Sequence, residues 1–526
     1  MEQPRDHSAS PPTGPDAGPE AHPAALGVRL RRRLLVPVLA FGGVLMALMQ
    51  TVVVPMLPDL PRATGSSPST VSWMLTATLV TGAVLNPVLG RAGDMYGKRP
   101  VLIGALVTMT VGSALCALTS DIRVLIAARA MQGAAAAVVP LATSILRDEL
   151  AGHRIGSSVA LMSSTVGIGA ALGLPLASVV VEHADWHALF WVTTALGTLT
   201  AIASWWVVPN SPVRTRGRFD VAGTVLLSVG LVALLLALSK GAVWGWGSMP
   251  VAVSAATGVV ALGLWVWRQL RAREPLVDLR LAGRRTVALP HTAALLTGFA
   301  FYANWLATAQ LVQAPTSTGY GLGASALTAS LCLVPGGLVM VCMSSVSARL
   351  SAARGGRWTL LAGSLVIAGA YVFRIFTSGT LWTIVLGATL CSVGTGLVYS
   401  ALPTLVLQAV PQEQTASATG LNVLMRTMGQ SVCSTTVVAV LAQFTTDVHG
   451  TAYPTLRAYL IVFALAAVAA LAAACTAAAL PGRPSAKSVT DPAPRAAPAA
   501  GPATGTARAR VPAASAPPKW RSAPAY

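Results

Sequence analysis

Acidic residues are scarce. The 526-residue chain holds 17 Asp and Glu against 36 Lys and Arg, and charged residues make only 10% of it. A soluble domain carries about 25%, so a soluble globular class is excluded. Cysteine is sparse too. Cys116, Cys332, Cys342, Cys391, Cys433 and Cys475 lie apart inside apolar stretches, without CxxC or Cys/His spacing. That excludes a disulfide framework and a zinc site, and leaves them as small packing residues. There is no GxxxxGK[ST] loop, no HExxH and no Gly-x-Ser-x-Gly elbow, so no nucleotide engine or hydrolase centre is encoded. His183 and His187 sit beside Glu182 and Asp185 in a loop, which reads as a solvated turn rather than a metal site. No cofactor is implied.

Apolar residues are plentiful at 54%, and mean hydropathy is +0.66. About 20 apolar residues cross a bilayer as a helix. About fourteen such runs occur: 34–54, 71–89, 101–119, 124–146, 157–181, 188–208, 221–240, 249–267, 287–311, 325–346, 358–376, 381–408, 417–443 and 456–480. The first lacks a small-residue cleavage site and reads as an anchor. The expected fold is an all-α polytopic membrane protein.

The basic residues set its orientation. Of the 36, 29 fall on alternate connecting segments, among them Arg31 to Arg33, Lys98 and Arg99, and Arg284 and Arg285. The opposite loops hold only Arg62, Arg123, Arg457 and, at a helix end, Lys240. The positive-inside rule then places both termini in the cytoplasm of a multi-pass cell-membrane protein with an even span count. It also accounts for the net charge of +19 without nucleic acid. The lipid bilayer is the expected partner, and a basic face can meet anionic lipid.

Two segments resemble each other at an offset of 258. LGRAGDMYGKRPVL (89–102) and SARLSAARGGRWTL (347–360) pair Arg91 with Arg349, Gly97 with Gly355 and Arg99 with Arg357. Gly133 and Pro140 match Gly396 and Pro403 more weakly. The repeat predicts two six-helix bundles, 34–208 and 287–480, with two extra helices in the 209–286 linker. The Pro- and Ala-rich ends, 1–33 and 481–526, read as disordered cytoplasmic tails. Duplicated bundles around a midplane site are a secondary-transporter architecture.

At GRAGDMYGKRP (90–100) the chain resembles the major facilitator superfamily, whose loop between its second and third helices carries Gly-x-x-x-Asp-x-x-Gly-Arg/Lys-Arg. The matches are Gly90, Asp94, Gly97, Lys98 and Arg99. RAMQG (129–133) resembles the family's Arg-x-x-x-Gly helix motif through Arg129 and Gly133. The span count, with an extra central pair, looks like the fourteen-helix drug:proton antiporter branch. That resemblance implies the major facilitator fold, multidrug efflux, antibiotic resistance and proton antiport. Two departures stand out. LMQT (48–51) has Met49 where the branch usually has an acid. GAALGLP (169–175) has Leu174 before Pro175, where the antiporter motif reads Gly-x-x-x-Gly-Pro.

The motif suggests a gating latch between bundles made by Gly90, Arg91, Asp94, Gly97, Lys98 and Arg99. Asp94 can cap a helix start or pair with Lys98 and Arg99; the bland reading is a tight turn and orientation signal. Gly169, Gly173 and Pro175 give a pliant helix along the path, or static packing. Ionisable groups within lipid are functional suspects, yet none of the 17 acids falls deep in a span. The remaining proton carriers are rim acids: Asp59, Asp94, Asp148 and Asp185. Among basic residues, Arg374 reads as snorkelling to the outer end. Arg426 lies near the midplane, and Asn422, Arg426 and Gln430 share one helix face. With Gln50 and Asn304 they form the candidate substrate cavity; a helix-pinning Arg426 is the bland alternative. Trp73, Tyr302, Trp305 and Tyr399 add aromatic surface.

The expected function is therefore a secondary transporter, not an enzyme, exporting small amphiphilic compounds by alternating access. The charge census favours neutral or anionic amphiphiles over lipophilic dications. The alternatives are a metabolite permease and a non-transporting membrane sensor.

Overall fold

The computed structural model describes residues 23–481, except 54–55, 57–59, 72, 151, 211–217, 273, 378 and 449–450. The C-terminal tail and most of the N-terminal one lie outside the described residues. Long helices dominate. They are α1 (Pro23–Thr51), α2 (Trp73–Tyr96), α3 (Lys98–Leu118), α4 (Ile122–Glu149), α5 (Gly152–His183), α6 (His187–Val207), α7 (Val221–Trp244) and α8 (Met249–Arg271). The second set is α9 (Arg285–Gln313), α10 (Ala326–Arg354), α11 (Gly356–Phe376), α12 (Leu381–Ala409), α13 (Thr415–Gln443) and α14 (Leu456–Ala478).

Thirteen of these are long and apolar enough to cross a membrane. The other, α13, has 29 residues and therefore the length, but its polar series Asn422, Arg426 and Gln430 keeps it from that set. In lipid, a helix satisfies its own backbone, so a buried polar stripe is tolerated where protein covers it. One boundary differs from expectation: α1 starts at Pro23, so part of the expected N-terminal tail continues the first helix. Midway, α4 tightens into a 3-10 turn at Gly133–Ala137.

The two largest hydrophobic cores follow the two halves. One runs from Leu35 to Val208 and takes in Ala416; the other runs from Ala293 to Leu480. Small residues set the spacing: Ala466, Ala470, Ala473 and Ala477 on α14 are all buried. Such residues let helix backbones approach where no water drives association. Large apolar side chains such as Leu199, Ile202, Val259 and Trp382 face outward, as a lipid-exposed surface requires. This is the two-bundle architecture with an extra central pair.

The internal repeat is visible in the backbone. Gly97 (φ 106°) and Gly355 (φ 90°) open α3 and α11 in a conformation that L side chains resist. The arginines two residues later also match. Arg99 donates to the Trp205 carbonyl near the end of α6, and Arg357 to the Ala478 carbonyl at the end of α14, at 2.7 Å. Each arginine thereby ties the third helix of its half to the last.

The extra pair, α7 and α8, does not stand apart. Leu227, Leu231 and Leu235 of α7 and Trp265 of α8 pack with Val80 and Ala83 of α2 and with Leu421 and Leu424 of α13. Thr435 of α13 donates to the Leu238 carbonyl at 2.9 Å. Lys240 lies 4.6 Å over the Trp73 ring. Asp220 caps α7 through Gly223 N–H at 2.9 Å and pairs with Arg268 of α8 at 2.8 Å.

Candidate functional site

At the end that carries the α2–α3 turn, polar groups of one half grip the other half's α12–α13 connection. Asp94 in the last turn of α2 is buried, and accepts hydrogen bonds from the backbone N–H of Ala416 at 3.1 Å and Ser417 at 2.8 Å. These belong to the first turn of α13, whose N–H groups lack intrahelical partners and whose dipole favours negative charge. Arg147 donates to Thr415 Oγ1 at 2.9 Å and to the Val410 carbonyl at 3.2 Å. Asp148 accepts from Gln412 Nε2 at 3.2 Å and pairs with the fully buried Lys98 at 2.5 Å. The backbones nearly touch here: a Cβ on Gly90 would lie 2.7 Å from the Ala416 oxygen, and one on Gly420 2.7 Å from the Asn86 oxygen.

Toward the opposite end the halves part around a cavity enclosing about 750 Å³ of non-atom space, its mouth included. One half lines it with Gln50 and Thr51, the last residues of α1, and with Thr78, Arg129 and Val166; the other contributes Phe301, Tyr302, Trp305 and Gln430. Aromatic walls with a few polar groups suit an amphiphilic ligand.

A model of the Major Facilitator Superfamily matches residues 39–434, well over half of the chain. The chain belongs to that superfamily. It is therefore a multi-pass membrane transporter of small molecules rather than an enzyme. Among its relatives, proteins carrying the name multidrug resistance protein MdtD from Escherichia coli O81 and Escherichia fergusonii are each 29% identical over 411 residues, covering 77% of this chain and 86% of theirs. In fold it is similar to the human organic anion transporter MFSD10, with a TM-score of 0.61 and 16% identity over 85% of this chain and 99% of that one.

Within this superfamily member, the motif residues divide. Asp94 does not pair with Lys98 or Arg99. Lys98 goes to Asp148, and Arg99 goes to α6 and to Asn210 at 3.3 Å. Arg91 is buried and, among the described residues, makes no hydrogen bond or ion pair. Arg129 is fully buried and pinned. It donates to the Met49 carbonyl at 3.1 Å and to Gln132 Oε1 at 2.5 Å, with a longer contact to the Met74 carbonyl at 3.4 Å. Met49 offers no acid side chain, and it is its backbone oxygen that takes this guanidinium. Gly133 packs on α2, where a Cβ would lie 2.8 Å from Thr81.

Gly169 and Gly173 face α1, with Val44 and Thr51 against them, inside one half. The neighbouring Gly167 instead faces Met340 of the other half. Pro175 leaves α5 unbroken.

The proposed cavity set also divides. Gln50 and Gln430 line the cavity; Asn304, Asn422 and Arg426 are not among its lining residues. Asn304 is buried and accepts from Arg374 Nη1 at 2.5 Å, while Arg374 Nη2 reaches Thr308 at 2.9 Å. Arg374 thus folds inward over Phe463, 4.2 Å from its ring, rather than snorkelling. Asn422 bonds His291 Nδ1 at 3.3 Å. Arg426 lies 4.7 Å over the Tyr399 ring. The rim acid Asp185 lies before the start of α6, where hydrogen bonds from His187 hold its carboxyl below the usual range. Asp59 lies outside the described residues.

Sequence reasoning missed Arg147 as a grip residue and His291 as a buried partner. The position of Arg147 beside Asp148 at the end of α4 was the available signal.

Proposed function

We propose that the protein exports small amphiphilic compounds across the cytoplasmic membrane by alternating access. The observation that carries this is the paired geometry: a cavity walled by both halves, shut at one end by Asp94 seated on the N-terminus of α13. The positive-inside distribution assigns the shut end and both termini to the cytoplasm, so the structure corresponds to an outward-facing state. The bodies that rock are 34–208 and 287–480, with the 209–286 linker carrying the extra pair. The latch is formed by Gly90 and Asp94, with Lys98 and Asp148 fixing the α3–α4 corner. The names of the MdtD relatives support drugs as cargo.

Protons, implied by the family likeness, would act at Asp94. Neutralising it removes the charge that faces the helix start and frees the cytoplasmic end to open. Counterflow in proteoliposomes with a panel of neutral, anionic and cationic amphiphiles tests the reading. Exchange of at least one compound is expected, with lumenal pH change when protons are coupled. A folded protein that exchanges nothing would return the sensor reading to the front.

A further inference from the structure

Just behind the residues that line the cavity lies a cation with no counter-ion. Arg426 is buried in α13, and among the described residues its guanidinium makes no hydrogen bond or ion pair; it lies on the Tyr399 ring. The contact with an aromatic face offsets part of the cost of burying a charge, and leaves the edge donors of the guanidinium unused. Beside it the Tyr399 hydroxyl is buried and makes no hydrogen bond of good geometry, the Gln430 side chain being its polar neighbour. Tyr399 stands 5.5 Å from Phe301, which lines the cavity, as does Gln430, one helical turn along α13 from Arg426. Arg129, on the opposite wall, is a second positive charge held only by neutral oxygens. No carboxylate answers either. The sequences of α1, α9, α12 and α13 contain no Asp or Glu at all, and the one acid of α2, Asp94, is engaged at the far end. An isolated buried ion is costly, and proteins pair it or place it where a ligand will.

We infer that this cluster is an anion site: Arg426, Tyr399 and Gln430 receive the carboxylate or sulfonate of an aromatic amphiphile whose apolar body lies on Phe301, Tyr302 and Trp305. The guanidinium fork suits two oxygens of one head group, which an ammonium does not. The phenol hydroxyl and the Gln430 amide add two further donors from two helices of the same half, and Arg129 sets the field across the cavity. Such a site discriminates by charge. A matched cation meets two arginines and no acid.

This inference rests on the transport reading, so the test measures binding apart from transport. Calorimetry on the detergent-purified full chain would compare 1-naphthalenesulfonate with neutral 1-naphthylmethanol and cationic 1-naphthyltrimethylammonium. Wild type should bind the sulfonate at least tenfold more tightly than the cation. Arg426→Gln should weaken the sulfonate about tenfold or more, and Arg426→Lys should restore part of that. Tyr399→Phe, which keeps the ring and drops the hydroxyl, should weaken it several-fold while leaving the neutral compound unchanged. Melting temperature and elution profile certify each variant as folded. Equal affinity for cation and anion, no sulfonate binding by wild type, or a folded Arg426→Gln that binds like wild type would each overturn the site. Arg426-dependent binding without exchange in proteoliposomes would sink the transport reading and leave the site standing.

Discussion

Asp94→Asn should open the basic end of the molecule. The carboxylate accepts two backbone N–H bonds, at 3.1 and 2.8 Å, from the first turn of α13. Asparagine keeps one acceptor oxygen, presents a donor amide to the other N–H, and removes the charge from the helix start. A hydrogen bond to a charged group contributes about 1.5–3 kcal/mol, and the charge–dipole attraction about 0.3–1 kcal/mol in ordinary settings. The closed state therefore loses on the order of 2–4 kcal/mol, and at 1.4 kcal/mol per tenfold the equilibrium shifts by roughly 30-fold to several hundred-fold. Spin labels at the exposed Tyr96 and Ala353 positions, in a background freed of native cysteines, report the separation of the halves by pulsed electron resonance. Wild type should give one dominant short distance, and Asp94→Asn a substantial longer population. An unchanged distance distribution in Asp94→Asn, confirmed in Asp94→Ala, would refute the latch.

Gly90→Val should act in the same direction by sterics alone. Its added carbons meet the Ala416 carbonyl, whose oxygen lies 2.7 Å from the Cβ site, and the same label pair would report longer distances. Arg129→Ala should destabilise the half it sits in, because Met49 and Gln132 each lose a partner inside lipid-buried protein, at about 1–3 kcal/mol per orphaned group; a detergent melting curve would show it, and Arg129→Lys should recover only part. Asp220→Asn should loosen α7 from α8, measured as faster hydrogen exchange at 221–225. Burial raises the carboxyl of Asp220, but hydrogen bonds from Arg268, Gly223 and Gln269 outweigh it and hold the group below its usual 3.8. Its contribution is thus present above about pH 4 and lost only as pH falls through that lower value, so wild-type protection at these positions, taken relative to intrinsic exchange at the same pH, should be flat from pH 7 to pH 5 and fall in stronger acid.

Much of the fold was legible because bilayer thickness and hydropathy leave little choice. Even α13 was found, since its length and one-sided polar series read as a helix facing protein. The repeat at an offset of 258 was legible too, and Gly97 and Gly355 show why: both hold the same positive φ. The partner of Asp94 was not legible. It is a pair of backbone N–H groups more than 300 residues away, and backbone donors carry no side-chain signature. Asn304 and Arg374 misled for a related reason. Each alone suits a cavity or an interface, and only the hydrogen bonds that reach from α11 to α9 show that they satisfy each other. The contact of Arg129 with position 49 was not legible either, because the acceptor there is a carbonyl that every residue type supplies.

The insertion between the halves gives the transporter unequal flanks. Because α7 leans on α2 and α13 together, with Lys240 over Trp73 and Thr435 hooked to the Leu238 carbonyl, that crevice is walled off from the surrounding leaflet. On the other side α5 and α10 meet directly through Gly167, Ala171 and Gly337. On that flank the two halves therefore slide directly on each other's backbones, and bulk added at Gly167 or Gly337 would be felt on both sides of the seam.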